Sequence, residues 1–133
     1  MKVEALDHIN IITDRLDKTA TFYEDLLDLG RRDPPPPLTP QNAQWMYDAS
    51  DRAIIHINTL ESPRAYDRDV PQGGLTGAVH HVALRLQGFE EVQARLDARG
   101  ADYKLNLVEA IGLRQIFTAD PNNVLLELNF FAD

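Results

Sequence analysis

Leu6-Asp7-His8-Ile9-Asn10-Ile11-Ile12 and Val79-His80-His81-Val82-Ala83-Leu84-Arg85 decide the fold, because each opens the same series of elements. In both, apolar residues alternate with others, the period-two pattern of a half-buried strand. A helix-like stretch follows each and ends on glycine, at Leu29-Gly30 in the first copy and Arg99-Gly100 in the second. His81 follows His8 by 73 positions and Gly100 follows Gly30 by 70, so the second copy has lost about three residues around its helix. The chain reads as a diverged internal duplication.

Thr13 or Asp14 can cap a helix over 15–29, with Leu16, Ala20, Tyr23, Leu26 and Leu27 on one face and Gly30 as the stop. Phe89, Val92 and Leu96 form the equivalent stripe on a helix over 89–98 that stops at Gly100. Strand-like runs follow at 44–47 and 53–58 in the first copy, and at 101–108, 114–119 and 124–129 in the second. Each copy thus runs strand, helix, then two or three strands. The expected boundaries are a first module over about 1–62, a linker over 63–76 and a second module over about 77–133. Asp33-Pro34-Pro35-Pro36-Pro37-Leu38-Thr39-Pro40 predicts a stiff, extended, polyproline-like connector. Asp120-Pro121-Asn122-Asn123 predicts a hairpin turn.

Composition narrows the function classes. At 133 residues and 44% hydrophobic, the chain suffices for one domain that buries roughly two thirds of its unfolded surface. Cysteine is absent, which excludes disulfides, thiolate metal sites and cysteine nucleophiles. A net charge of −8 opposes nucleic acid and anionic membrane surfaces as partners. The start at Met1-Lys2-Val3-Glu4-Ala5 has no apolar run of signal-peptide length, and no window approaches the ~20 apolar residues of a membrane span. A soluble, cytoplasmic protein is expected.

Strand alternation then selects the candidate site. His8 and Asn10 alternate with Ile9 and Ile11, His56 and Asn58 with Ile55 and Ile57, His81 and Ala83 with Val82 and Leu84, and Glu127 and Asn129 with Leu126 and Leu128. A helix covers one face of a sheet, so the polar set belongs to the other. The repeat makes His81 the counterpart of His8, and Glu127 the counterpart of His56 at an offset of 71. A single strand histidine is ordinarily a hydrogen-bonded or half-exposed side chain; two repeat-related pairs can converge on one divalent metal ion. Without sulfur the donor set suits Fe(II), Mn, Co, Ni or Zn, and two His with one carboxylate particularly suit non-haem Fe(II). His80 is expected on the opposite face as a structural or solvent-facing residue.

Other constellations are weaker. Arg31, Arg32, Arg64, Arg68 and Arg114 could meet an anionic substrate, although solvated arginine is the ordinary state. Trp45, Tyr47, Tyr66 and Phe117 either line an apolar pocket or belong to core and rim. Ser50 and Ser62 lack a His–Asp companion pattern, and no glycine-rich phosphate loop occurs, which argues against serine hydrolysis and nucleotide binding.

Across nearly the whole chain, Leu6-Asp7-His8-Ile9-Asn10-Ile11, Thr21-Phe22-Tyr23-Glu24-Asp25-Leu26-Leu27-Asp28-Leu29-Gly30, His80-His81-Val82-Ala83-Leu84 and Asp120-Pro121-Asn122-Asn123-Val124-Leu125-Leu126-Glu127-Leu128 resemble the vicinal oxygen chelate superfamily of glyoxalases, bleomycin-resistance proteins and extradiol dioxygenases. The resemblance implies an α+β fold of two βαβββ modules, whose curved mixed sheets enclose a divalent metal that chelates a small substrate through two neighbouring oxygens. It puts His8, His81 and Glu127 on ligand positions, and His56 where glyoxalase I-like members place a fourth ligand, usually Glu or Gln. It also implies a homodimer in which His8 and His56 of one chain complete a site with His81 and Glu127 of its partner.

Three activities stay open within that group. Trp45-Met46-Tyr47 followed by Asp51-Arg52-Ala53-Ile54-Ile55-His56 is similar to single-chain biphenyldiol dioxygenase-like members, implying ring cleavage with Fe(II) and with His56 or another group as base. Leu113-Arg114-Gln115-Ile116-Phe117, however, lacks the His and Tyr that extradiol enzymes use as acid–base groups in the last module. A glyoxalase (lactoylglutathione lyase-like) or epimerase-like isomerase would use Glu127 as a proton shuttle with His56 opposite. A non-catalytic, antibiotic-binding protein similar to bleomycin-resistance proteins is the third reading.

Overall fold

The computed structural model describes residues 1–2, 4–65 and 79–132. The chain divides into two compact units, Met1–Gln72 and Gly73–Asp133. Most of the expected linker, with Tyr66 and Arg68, lies outside the described residues. No helix among the described residues is long and apolar enough to cross a membrane.

The first unit runs β1 (Ile9–Ile12), α1 (Leu16–Leu27), β2 (Gly30–Arg32), β3 (Ala43–Tyr47) and β4 (Ala53–Asn58). Its four-stranded sheet has the order β1-β4-β3-β2, with β1 parallel to β4 and the other pairs antiparallel. α1 packs on β3 and β4, and Ala20, Tyr23 and Leu26 are fully buried, as are Met46 and Ile57.

Several local expectations are corrected here. Thr19 and Phe22 are buried while Leu16 and Leu27 are only half-buried, so the buried stripe is rotated from the one expected. Thr13 Oγ1 accepts the Arg15 N–H at 2.9 Å, but the residue at the helix N-cap is Arg15, with no side-chain cap. The helix ends at Asp28, which takes the left-handed conformation at φ 56° and donates its N–H to the Glu24 carbonyl. Gly30 therefore opens a strand instead of closing the helix. The proline run is not uniformly extended, because the Leu38 N–H reaches the Pro35 carbonyl at 3.2 Å and closes a turn.

The second unit runs β5 (Val82–Arg85), α2 (Phe89–Ala98), β6 (Tyr103–Val108), β7 (Leu113–Ala119) and β8 (Leu125–Phe131), with a short 3-10 turn at Glu109–Ile111. Its sheet has the order β5-β8-β7-β6, with β5 parallel to β8. α2 occupies the expected span and stops at Gly100, whose φ of 64° is the left-handed conformation that favours glycine. Val92 and Leu96 are buried, as are Ile116, Leu126, Leu128 and Phe130. Asp120 Oδ1 accepts the N–H groups of Asn122 and Val124 and so forms the hairpin turn.

Both units are βαβββ, and the fold is α+β with two four-stranded mixed sheets. The registers repeat as well. β1 places Asn10 beside His56 on β4, and β5 places Ala83 beside Glu127 on β8, which are the offsets of 73 and 71. His8 and His81 stand just ahead of β1 and β5, since these strands begin at Ile9 and Val82, three residues into the stretches that the alternation suggests.

Candidate metal centre

In the second unit, Lys104, Phe117, Glu127 and Ala83 are successive partners across β6, β7, β8 and β5. Cross-strand partners share a sheet face, so Glu127 stands on the face opposite buried Leu126 and Leu128. His81 Nε2 lies 3.8 Å from Glu127 Oε1. That exceeds a hydrogen bond. Two donors at ~2.1 Å from one octahedral ion stand about 3 Å apart, so a shift of under an ångström would bring both into a coordination shell.

The remaining donor atom of each group is already held. His81 Nδ1 pairs with His80 Nδ1 at 3.0 Å, and Glu127 Oε2 accepts from Asn129 Nδ2 at 3.0 Å. When His81 donates in the first of these, its Nε2 carries the lone pair that a metal needs. His80 is solvent-exposed as expected, but it is tied to His81 rather than idle.

In the first unit, His8 Nδ1 meets Asp7 Oδ2 at 2.5 Å, which leaves Nε2 as the free nitrogen in a carboxylate–histidine arrangement common to metal ligands. The hydrogen bond from His8, followed by the charge of His8, holds the Asp7 carboxyl below the usual carboxylate range. His56 is sandwiched between two rings: His8 lies 3.8 Å away at 11° and Trp45 lies 4.0 Å away at 7°. Burial first, then the charge of His8, lowers the His56 pKa from its ordinary value. Lone pairs of nearly parallel stacked imidazoles run side by side instead of meeting, so this arrangement suits one metal ligand and one proton acceptor better than two ligands of one ion.

Trp45 Nε1 is buried without a hydrogen-bond partner. Trp45 and His56 border an open pocket of about 710 Å³, whose lining also includes Leu6, the anions Glu4 and Asp7 and the cations Lys2 and Arg52. Among the described residues no three His, Asp or Glu side chains gather as a metal-holding cluster; each unit carries a pair of its own.

The described arginines are engaged within the chain. Arg31 donates to Asp17 and Gln44, Arg32 pairs with Asp51 and covers the Tyr47 ring, and Arg64 donates to the carbonyls of Thr59, Leu60 and Ser62. Arg114 pairs with Glu90 and lies over Phe89. The candidate aromatics separate. Trp45 is the cross-strand partner of His56, and Phe117 is that of Glu127, so the two are repeat mates beside the two site residues. Asp7 and Asn129 were not anticipated as supports. The signal was adjacency to His8 for one, and a same-face position two residues past Glu127 for the other.

A family model described as the Glyoxalase/Bleomycin resistance protein/Dioxygenase superfamily matches residues 5–128. Among solved structures, the chain is similar to the genomically encoded fosfomycin resistance protein FosX from Listeria monocytogenes, with TM-score 0.66, 20% identity, and coverage of 98% of this chain and 96% of that one. A glyoxylase/bleomycin resistance protein/dioxygenase domain from Frankia gives TM-score 0.70 at 14% identity, covering 99% and 95%. A protein from the mobile metagenome of V. pseudocholerae also gives 0.70 at 14%, covering 100% and 98%. No curated protein matches the chain in sequence.

Proposed function

Since the chain belongs to the glyoxalase/bleomycin resistance protein/dioxygenase superfamily, we propose that it is a divalent-metal-dependent enzyme gripping a small substrate through two adjacent oxygens. His8, His81 and Glu127 are the ligands in this reading. His56 is the proton-handling group, with a fourth ligand position as its other role. The observation that carries the reading is the His81 Nε2 and Glu127 Oε1 pair at 3.8 Å, with the remaining donor atom of each side chain tied to His80 or Asn129. A carboxylate oxygen without a hydrogen bond among the described residues, facing an imidazole nitrogen beyond hydrogen-bonding distance, is what a chelating pair presents to a cation.

Nitrogen and oxygen donors of this kind suit Fe(II) first, and also Mn, Ni, Co or Zn. When bound, such an ion polarises both substrate oxygens and, as Fe(II), offers an open position for O2. Extradiol-type cleavage of an aromatic diol is the first reaction proposed. The flat stack of His8, His56 and Trp45 suits an aromatic substrate, and the free Trp45 indole N–H suits one that carries acceptor oxygens. His56, whose pKa burial lowers so that the neutral imidazole is favoured, accepts the proton of a ring hydroxyl. Phe117 offers no hydroxyl beside Glu127, so His56 is the base on which this version depends.

The second reading is a glyoxalase- or epimerase-like isomerase. It draws on Glu127 Oε1, which has no hydrogen bond among the described residues and could shuttle a proton. In either case a homodimer is proposed, in which His8 and His56 of one chain act with His81 and Glu127 of its partner at two identical sites.

Elemental analysis of gently purified protein, then oxygen uptake on a panel of catechols under ferrous conditions, tests the proposal. Bound metal with oxygen consumption supports ring cleavage. Turnover of the methylglyoxal–glutathione adduct without oxygen consumption transfers the assignment to the isomerase. Tight binding of small molecules with no metal at all leaves the non-catalytic binder.

A further inference from the structure

Asn106, Gln115 and Asn129 lie in one row across β6, β7 and β8. Their amides form a continuous chain. Asn106 Nδ2 donates to Gln115 Oε1 at 2.7 Å, Gln115 Nε2 donates to Asn129 Oδ1 at 3.0 Å, and Asn129 Nδ2 donates to Glu127 Oε2 at 3.0 Å. The chain begins at the exposed edge strand, passes through Gln115, which is only 9% exposed, and ends on the carboxylate.

The carboxylate fixes the direction of every bond in the row. An ionised Glu127 can only accept, so Asn129 must turn its NH2 to it and its Oδ1 to β7. Gln115 must then donate to that oxygen, which aims its own Oε1 at Asn106. Each bond polarises the next in the same sense, and the accumulated positive end faces Glu127. Among the described residues the first unit has no such row on His56: Asn58 donates instead to Asn10, and Gln44 turns its amide toward Asp33 and its oxygen toward Arg31. The device accompanies only the half that carries a carboxylate.

We propose that Asn106, Gln115 and Asn129 form a positioning ladder that holds the Glu127 carboxylate by Oε2 and directs Oε1 toward His81. Its value to metal binding rests on the reading of Glu127 as a ligand. The orientation of the carboxylate stands apart from that reading and is open to a metal-free measurement. Gln115 touches neither metal nor substrate and acts through Asn129.

The metal-free arm follows the side-chain amide signals of Asn106, Gln115 and Asn129 by 15N–1H NMR in the wild type and in Glu127→Gln. A connected ladder moves all three pairs when the anion is removed; a shift confined to Asn129 overturns the proposal. The second arm titrates Mn(II) into the wild type and into Gln115→Glu, an isosteric change that removes the donor. Asn129 must then share its NH2 between two carboxylates, and Mn(II) affinity is expected to fall about 10-fold or more. Unfolding curves for both proteins guard against simple misfolding, and Gln115→Leu gives a second variant without the added charge. Unchanged Mn(II) affinity in both variants overturns the ladder while leaving the metal reading intact. A wild type that binds no Mn(II) overturns Glu127 as a ligand, and the ladder is then decided by the amide signals alone.

Discussion

The Trp45 indole lies flat on the His56 imidazole, 4.0 Å between ring centres and 7° from parallel, because β3 and β4 place the two residues directly opposite one another. The stack holds the imidazole plane in one orientation, and the His8 ring closes its other face. A cross-strand pair thus becomes the wall of a pocket and fixes the plane of the imidazole that borders it.

That pair gives a first test. A buried N–H without a partner costs on the order of 1–3 kcal/mol, and Trp45 Nε1 is such a group. Trp45→Phe removes the orphan donor while keeping a ring against His56, so its unfolding free energy should stay within about 1 kcal/mol of the wild type. Trp45→Ala loses the ring and should cost about 3 kcal/mol or more. Denaturant unfolding measures both, and a Phe variant as unstable as the Ala variant would sink the account of the orphan N–H.

Metal content separates ligands from their supports. His81→Ala removes a donor facing Glu127 and should leave the purified protein without stoichiometric metal. Asp7→Asn leaves His8 in place but takes away the carboxylate on its Nδ1, and should weaken metal binding by roughly 10–100-fold. Full metal content in His81→Ala, measured by elemental analysis, would contradict the assignment.

How far the sequence carried depended on periodicity. The duplication was legible because strand alternation and the two helix ends recur at nearly constant offsets, and the registers Asn10–His56 and Ala83–Glu127 follow the same offsets. The early end of α1 was not, because Asp28 rather than glycine takes the left-handed position, a choice open to Asp and invisible to a search for glycine. That error also hid β2, since Gly30 was already assigned as a stop. Of the site, the four polar residues were read from alternation. The groups that hold them were not, because whether a neighbour such as His80 or Asn129 turns toward His81 or Glu127 depends on rotamers that no sequence pattern encodes.

Acid stability has a local contributor in the loop between β3 and β4. The backbone N–H of Arg52 first, then the Arg52 side chain and the Ser50 N–H, hold the Asp48 carboxyl below its ordinary value of 3.8. A folded-state pKa depressed in this way contributes stability that is present above the unfolded value and is lost as pH falls through the folded one. Thermal unfolding followed from about pH 5 to about pH 2 should show a smaller acid loss in Asp48→Asn than in the wild type. Coincident pH profiles would remove Asp48 from the account.

Shared sites have a concentration signature. If His8 and His56 of one chain act with His81 and Glu127 of its partner, dilution below the dimer dissociation constant should release metal and abolish turnover together. Sedimentation and metal content measured on one dilution series decide the matter. A monomer that retains its metal argues against the shared arrangement and leaves the ligand assignment standing.

Leu26 and Leu96 are separated by 70 positions, occupy equivalent places on α1 and α2, and are both fully buried. Their surroundings differ. α1 buries Thr19, Ala20, Phe22 and Tyr23 beside Leu26, whereas α2 buries only Val92 beside Leu96. Truncating either leucine removes a fully enclosed side chain and should cost about 2–5 kcal/mol. The cost at Leu26 is shared with a helix that other buried side chains still hold, but at Leu96 it removes one of the two buried side chains of α2, leaving Val92 and the half-buried Phe89 against Phe130. Hydrogen exchange should therefore show α2 amides losing far more protection in Leu96→Ala than α1 amides lose in Leu26→Ala. Equal losses would mean that the duplicated helices are held alike despite their different burial, and that contacts such as that of Phe89 with Phe130 carry the second helix.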